Sequence, residues 1–217
     1  MTLIEMVLVL VILATLAAIA VPLLSGIVED SDAEAVVTKE TMRVVRDVIL
    51  GTRNQAGQWE DMNQIPSAFP LTLHDLFQEQ KPAHMNVDSS LDQYDPITQT
   101  GWNGPYLFQA TGAYSIKTAA NFSSAYGVEG SATMNDGWGN PIVLQVDYDG
   151  NGSVNPADDE EAKYARLVSA GPNGVVDTPY DYANRIPSAD GATNLTEAES
   201  GDDIVIFLRV QDTRGGQ

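Results

Sequence analysis

Asp147, Asp149, Asn151, Ser153, Asn155 and Asp158 place oxygen donors at positions 1, 3, 5, 7, 9 and 12 of one twelve-residue stretch, DYDGNGSVNPAD. Gly152 stands at position 6, where a loop wrapping an ion must turn sharply, and Val154 at position 8 faces inward. Oxygen ligands at this spacing suit a hard divalent cation, calcium above all. Ser153 would donate its main-chain carbonyl, so its location matters more than its hydroxyl. The plain alternative is an Asp/Asn/Gly-rich turn that holds no metal. Zinc is the wrong ion for such a set, because the chain has no cysteine and only two histidines, His74 and His84, both read as ordinary surface residues.

A second acid stands in an unusual place. Glu5 heads an apolar run in which Met6 to Val28 carry no charged side chain. Twenty-three residues at about 1.5 Å each are long enough to cross a hydrocarbon core of about 30 Å. A carboxylate in or beside a bilayer costs about 2.5–3.5 kcal/mol and so needs a partner. The first basic side chain is Lys39, too distant to serve. The remaining cation is the α-amino group of Met1, from the same chain or from a neighbour displaced along the helix axis. A secretory leader, cut after Ala18-Ile19-Ala20, is the alternative for this segment, but leaders open with basic residues and this one does not.

These residues need elements to hold them. Residues 32–50 keep a helical period that sets Ala33, Val37, Val44, Val45, Val48 and Ile49 on one side and Lys39, Glu40, Arg43, Arg46 and Asp47 on the other. The simplest arrangement is one helix over about residues 2–50, apolar all round in 1–28, amphipathic in 29–52, loosened near Pro22 and stopped at Gly51. Residues 53–217 form the globular part. Within it, 53–100 read as loop with a short helix over Leu73–Gln78 capped by Thr72. Residues 101–217 hold β-rich runs at Pro141–Val146, Tyr164–Ser169 and Ile204–Val210. The expected fold class is α+β, a long N-terminal helix laid on a small antiparallel sheet with long calcium-binding loops. The segment entering the 147–158 loop reads as strand, and Asn155 would cap a short helix beginning at Pro156.

The chain of 217 residues carries a net charge of −19, and 14 of its 30 acids lie in residues 144–217 beside five Lys or Arg. Such acidity excludes the phosphate neutralisation that drives nucleic-acid binding. No cysteine, no pair of adjacent histidines, no phosphate loop and no nucleophile elbow points to an enzyme. Asp158 and Asp159 are paired acids, but neighbours on a loop more often bind metal or face water.

Met1-Thr2-Leu3-Ile4-Glu5, followed by an apolar helix with Pro22, resembles the mature N-terminus of type IV pilins and type II secretion pseudopilins. Phe is the usual family residue at position 1. Gly101-Trp102-Asn103-Gly104-Pro105-Tyr106-Leu107 and Asp136-Gly137-Trp138-Gly139-Asn140-Pro141 are similar to the GWxGPYL and DPWGNP signatures of the major, G-type pseudopilin. Leu167 to Gly174, followed by Gly201-Asp202-Asp203-Ile204, is similar to that family's SLGADG…DADI pattern, whose loop binds calcium. The resemblance thus implies a second Ca2+ site from Asn173, in place of the family's Asp, with Asp202 and Asp203; Asp177 is a nearby extra donor, and residues 176–200 are an insertion. The Asp at position 12 of the first loop is similar to dockerin loops.

What the resemblance implies is a structural subunit, not an enzyme. A prepilin peptidase would release the N-terminus, and Met1 would be N-methylated and pair with Glu5 during assembly. Copies would leave the inner membrane through an assembly platform, with minor pseudopilins as further partners, and stack into a helical homo-oligomer in the periplasm that drives protein export. A surface filament of the type IV pilus kind is the alternative, and a membrane-tethered enzyme a more distant one. Calcium titration of the full chain in detergent tests the loop reading. Asp147→Ala with Asp149→Ala removes one class of sites titrating at or below millimolar calcium, and an unchanged isotherm refutes the 147–158 loop as a site.

Overall fold

A computed structural model of the chain describes residues 33–64, 68–85, 87–146, 165–179 and 200–208. Helix α1 occupies residues 33–50. Among the described residues no helix is long and apolar enough to cross a membrane. The predicted span lies outside them, as do Met1, Glu5 and Pro22. Helix α1 ends where expected: the Gly51 N–H still reaches the Asp47 carbonyl at 2.8 Å, and Gly51 then turns the chain away at φ +83°.

The buried stripe of α1 is rotated by about a quarter turn from the one expected. Thr38, Met42, Val45 and Ile49 are fully buried, whereas Ala33 is exposed and Val37 and Val44 are 55% and 48% exposed. The stripe follows an i, i+4, i+7, i+11 spacing, as a helix laid on a sheet requires. The expected stripe, drawn through Ala33 and the Val and Ile residues, leaves out Thr38, which is polar, and Met42. Thr38 is tolerated inside because its hydroxyl donates to the Glu34 carbonyl at 2.8 Å and accepts the Gly137 N–H at 2.8 Å.

The architecture is α+β. Three antiparallel strands, β3 (Val143–Gln145), β4 (Arg166–Ser169) and β5 (Ile204–Phe207), lie in that order within the three predicted runs. The register sets Leu144 opposite Leu167 and Leu167 opposite Ile206. That face packs on Met42, Val45 and Ile49 of α1, with Trp59, Phe69, Leu73 and Leu76 from the preceding loops. Val143 and Val168 show on the opposite face, where Tyr114, Phe122, Tyr126, Ala170 and Val176 cover them. Strand β4 is the centre of the sheet and buried at all four positions.

The 53–100 region is richer than a loop. It holds a four-residue helix α2 (Gln58–Asp61) and two 3-10 turns, Leu73–Phe77 and Ser89–Leu91. The predicted 73–78 helix is thus a 3-10 turn from Leu73 to Phe77, with Thr72 at its N-cap and the Asp75 carboxylate accepting the Leu71 and Thr72 N–H groups at 2.9 Å each. A third cluster, with Met62, Met85, Leu91 and Trp102, is built from this region and the turn after it. A further two-stranded sheet, β1 (Gly112–Ala113) with β2 (Ala132–Thr133), has no counterpart in the expectation. Two-residue strands carry too little periodicity to be read.

The two Gly/Trp turns tie these parts together. In DGWGNP, the Asp136 carboxylate accepts the Trp138 N–H at 3.0 Å, the Asn140 N–H at 2.8 Å and the Ser169 hydroxyl of β4 at 2.7 Å. Glycine is required at 137, since a Cβ there would run into the Glu34 carbonyl of α1. In GWNGPYL, Trp102 packs edge-on to Tyr106 at 5.0 Å, and the Tyr106 hydroxyl donates to Asp61 at 3.0 Å. Replacing Asp136 with Ala strands two N–H groups and a buried hydroxyl, and is expected to cost roughly 3 kcal/mol in denaturant unfolding. Asp136→Asn keeps an acceptor oxygen and should cost less than half of that; equal losses would refute the account.

Candidate metal centre

Beyond β4 the chain doubles back along the face of the sheet. Gly171 stands past the far end of the strand and Pro179 beside its first residue, where Arg166 Nη2 donates to the Pro179 carbonyl at 2.6 Å. On the way Val176 is buried in the Tyr114–Phe122 cluster. The Val176 N–H donates to the Ala120 carbonyl, and the Asn121 side-chain amide donates to the Val176 carbonyl at 2.8 Å. This returning segment, residues 171–179, meets the turn that leads into β5.

At the meeting point one carboxylate oxygen each from Asp177, Asp202 and Asp203 lie within 4.8 Å of one another. Asn173 closes the group. Its N–H donates to Asp202 Oδ2 at 2.9 Å and its amide to Asp177 Oδ2 at 2.9 Å, while its own Oδ1 accepts the Val175 N–H at 2.6 Å. The Thr178 N–H donates to Asp203 Oδ2 at 2.6 Å. Gly201 is at φ +56°, and a Cβ there would collide with the Asp177 carboxylate, so glycine is what lets the β5 turn approach so closely.

Four of the ten predicted metal-site residues, Asn173, Asp177, Asp202 and Asp203, are therefore together. Asn173 joins as a hydrogen-bond donor, with its side-chain oxygen turned to the backbone. The other six, Asp147, Asp149, Asn151, Ser153, Asn155 and Asp158, lie outside the described residues, on the segment between β3 and β4. His84 is exposed, 3.6 Å from Asp75, and His74 half-buried; neither is near the acids. The residues that sequence reasoning missed are those behind the acids: Thr178, Gln145 and Arg166, none of which belongs to a ligand pattern.

Two oxygens decide what the cluster can do. Asp202 Oδ1 and Asp203 Oδ1 are buried and have no hydrogen-bond partner among the described residues. Three carboxylates this close repel one another, and orphaned buried acceptors cost about 1–3 kcal/mol each. A hard cation relieves both, and the donor set is all oxygen, as Ca2+ or Mg2+ prefers. The residues thus fit a divalent ion: Asp177, Asp202 and Asp203 would supply the charge.

Burial, aided by the Asp177 charge, pushes the Asp203 carboxyl up from an ordinary 3.8 to about 6. Burial likewise raises Asp61 and Asp136. Each of these groups binds its proton more tightly folded than unfolded. Their contribution to stability is therefore full below about pH 4 and lost as pH rises through the folded value, about 6 for Asp203. In chelator, the melting temperature should climb as pH falls from 7 to 5, and Asp203→Asn should flatten that slope. A melting temperature that falls over this interval contradicts the assignment.

No family model, no curated protein and no solved structure matches the chain, so the meaning of the cluster rests on its own chemistry.

Proposed function

We propose that this protein is a structural subunit of a helical filament, the major pseudopilin of a type II secretion system, with calcium ordering its loops. In this reading the apolar residues 1–28 pack against those of neighbouring copies, each buried methylene contributing about 0.8 kcal/mol relative to water. Glu5 meets the α-amino group of Met1 on an adjoining copy and sets the stagger. A head-to-tail contact of that kind repeats along a screw axis and does not close on itself. The acidic domains, built on α1 and the β3–β4–β5 sheet, stand outside the bundle.

The observation that carries the reading is the gathering of Asp177, Asp202 and Asp203 around Asn173 between β4 and β5. Asn173, Asp202 and Asp203 are the residues that the pseudopilin resemblance singles out, the first nearly thirty positions before the other two in the chain, and Asp177 is the extra donor beside them. Helix α1 packed on an antiparallel sheet supports a pilin-like arrangement of the same parts. The insertion within 176–200 makes this domain longer than the G-type pattern, which favours a surface filament of the type IV pilus kind as the second reading.

Electron microscopy of the protein sheared or purified from expressing cells should show filaments in calcium. Glu5→Ala should abolish them while the chain still accumulates in the membrane. Filaments of normal number and order in that variant would overturn the proposed pairing, and a wild-type chain that forms none would overturn the function itself.

A further inference from the structure

Of the acids of the candidate metal centre, Asp177 is presented by the returning segment and Asp202 and Asp203 by the turn into β5, and the returning segment is gripped from inside the protein. Gln145 and Arg166 are directly opposite one another in the β3–β4 ladder, and both are fully buried. Arg166 Nε donates to Gln145 Oε1 at 2.8 Å, so each orients the other. Together they hold two successive carbonyls of the returning segment. The Gln145 amide donates to the Thr178 carbonyl at 3.1 Å, and Arg166 Nη2 to the Pro179 carbonyl at 2.6 Å. The same amide donates to the Tyr126 hydroxyl at 3.0 Å, which fixes its rotation.

Thr178 is bonded at both ends. Its carbonyl is held by Gln145 and its N–H donates to Asp203 Oδ2 at 2.6 Å. A chain of hydrogen bonds therefore runs from the centre of the sheet, through Arg166, Gln145 and the backbone of Thr178, to the carboxylate beside Asp177 and Asp202. A buried guanidinium and a buried amide are costly to maintain in a domain of this size. An apolar pair at these positions would serve the sheet as well, since the neighbouring cross-strand pairs are Val143 with Val168 and Leu144 with Leu167.

We propose that Gln145 and Arg166 are positioning residues for a divalent cation at Asp177, Asp202 and Asp203, setting its affinity through Thr178 without touching it. The inference rests on the cation site argued above. Groups that orient the ligands of an ion commonly govern its affinity by 10- to 100-fold. Here the orientation passes through main chain, so that the ligand loop is pre-formed before the ion arrives and its ordering cost is met by the folding of the sheet.

Gln145→Glu separates this role from others. Glutamate keeps an oxygen for Arg166 Nε and can accept from the Tyr126 hydroxyl, but it has no N–H for the Thr178 carbonyl. The full chain in nonionic detergent, carrying Asp147→Ala and Asp149→Ala to silence the other loop, is titrated calorimetrically with calcium chloride, with and without Gln145→Glu. Roughly tenfold weaker binding, with the melting temperature in chelator unchanged within a few degrees, is the expected result. A merely electrostatic influence gives the opposite sign, because the added negative charge attracts the ion. Equal or tighter binding in the folded variant therefore overturns the proposal. Should glutamate prevent folding, Arg166→Lys keeps the charge but lacks the fork that spans Gln145 and Pro179, and several-fold weaker calcium binding is expected; unaltered affinity there overturns it equally. If the parent chain binds no calcium, the cation site itself falls, which is a different failure from a site that binds and ignores Gln145.

Discussion

Carboxylates that accept backbone N–H bonds hold the irregular chain of this protein in place. Its described strands are two to four residues long, so regular ladders satisfy only a small part of the main chain. The remainder needs side-chain acceptors, and buried or half-buried aspartates provide them. Asp75 accepts from Leu71 and Thr72, Asp136 from Trp138 and Asn140, Asp202 from Asn173, and Asp203 from Thr178. Charge-assisted bonds of this kind are shorter and stronger than neutral ones, which is what a loop-rich domain without disulfides requires. The acidity of the sequence is in part an internal framework.

That framework also distinguishes two kinds of acid. At Asp136 donors meet both oxygens: two N–H groups reach Oδ1 and the Ser169 hydroxyl reaches Oδ2. Between β4 and β5 acceptors outnumber donors. Three carboxylates share a small volume, and two of their oxygens are buried with nothing to accept from among the described residues. A buried carboxylate with a full complement of donors is a structural part, and a deficit of donors leaves negative charge for a cation to neutralise. The same count cannot be made along the sequence alone, because the donors that meet Asp136 at Oδ2 and those that meet Asp202 come from distant residues, Ser169 and Asn173.

The sequence was legible where a side chain's chemistry and its spacing agree. The three strands of the main sheet fall inside runs rich in Val, Ile and Leu, and the helix stop at Gly51 is a local matter of backbone conformation. The acids at 202 and 203, with Asn173, came from a motif, and they meet in space with Asp177, which was read only as a donor nearby. The buried stripe of α1 was misjudged because a satisfied hydroxyl makes Thr38 a core residue, and that depends on Gly137, nearly a hundred residues away. Gln145 and Arg166 were invisible for a related reason. A polar pair in a β-rich run looks like the wet side of a strand until the returning segment is seen lying over it.

The position of that segment suggests why β4 carries an arginine at its start. Residues 171–179 cross the sheet on its Val143–Val168 face, and Val176 is their apolar anchor. Past Val176 the carbonyls of Thr178 and Pro179 turn inward, toward a place from which water is excluded. Two unpaired carbonyls there would cost more than Val176 gains, and a guanidinium with a neighbouring amide offers donors in a fixed fork to satisfy them. Once those donors are in place the path of the segment is set to within a hydrogen bond, and with it the spacing of Asp177 and Thr178 from Asp203. The buried polar pair and the surface acids are thus one construction, in which the sheet decides where the negative charge stands.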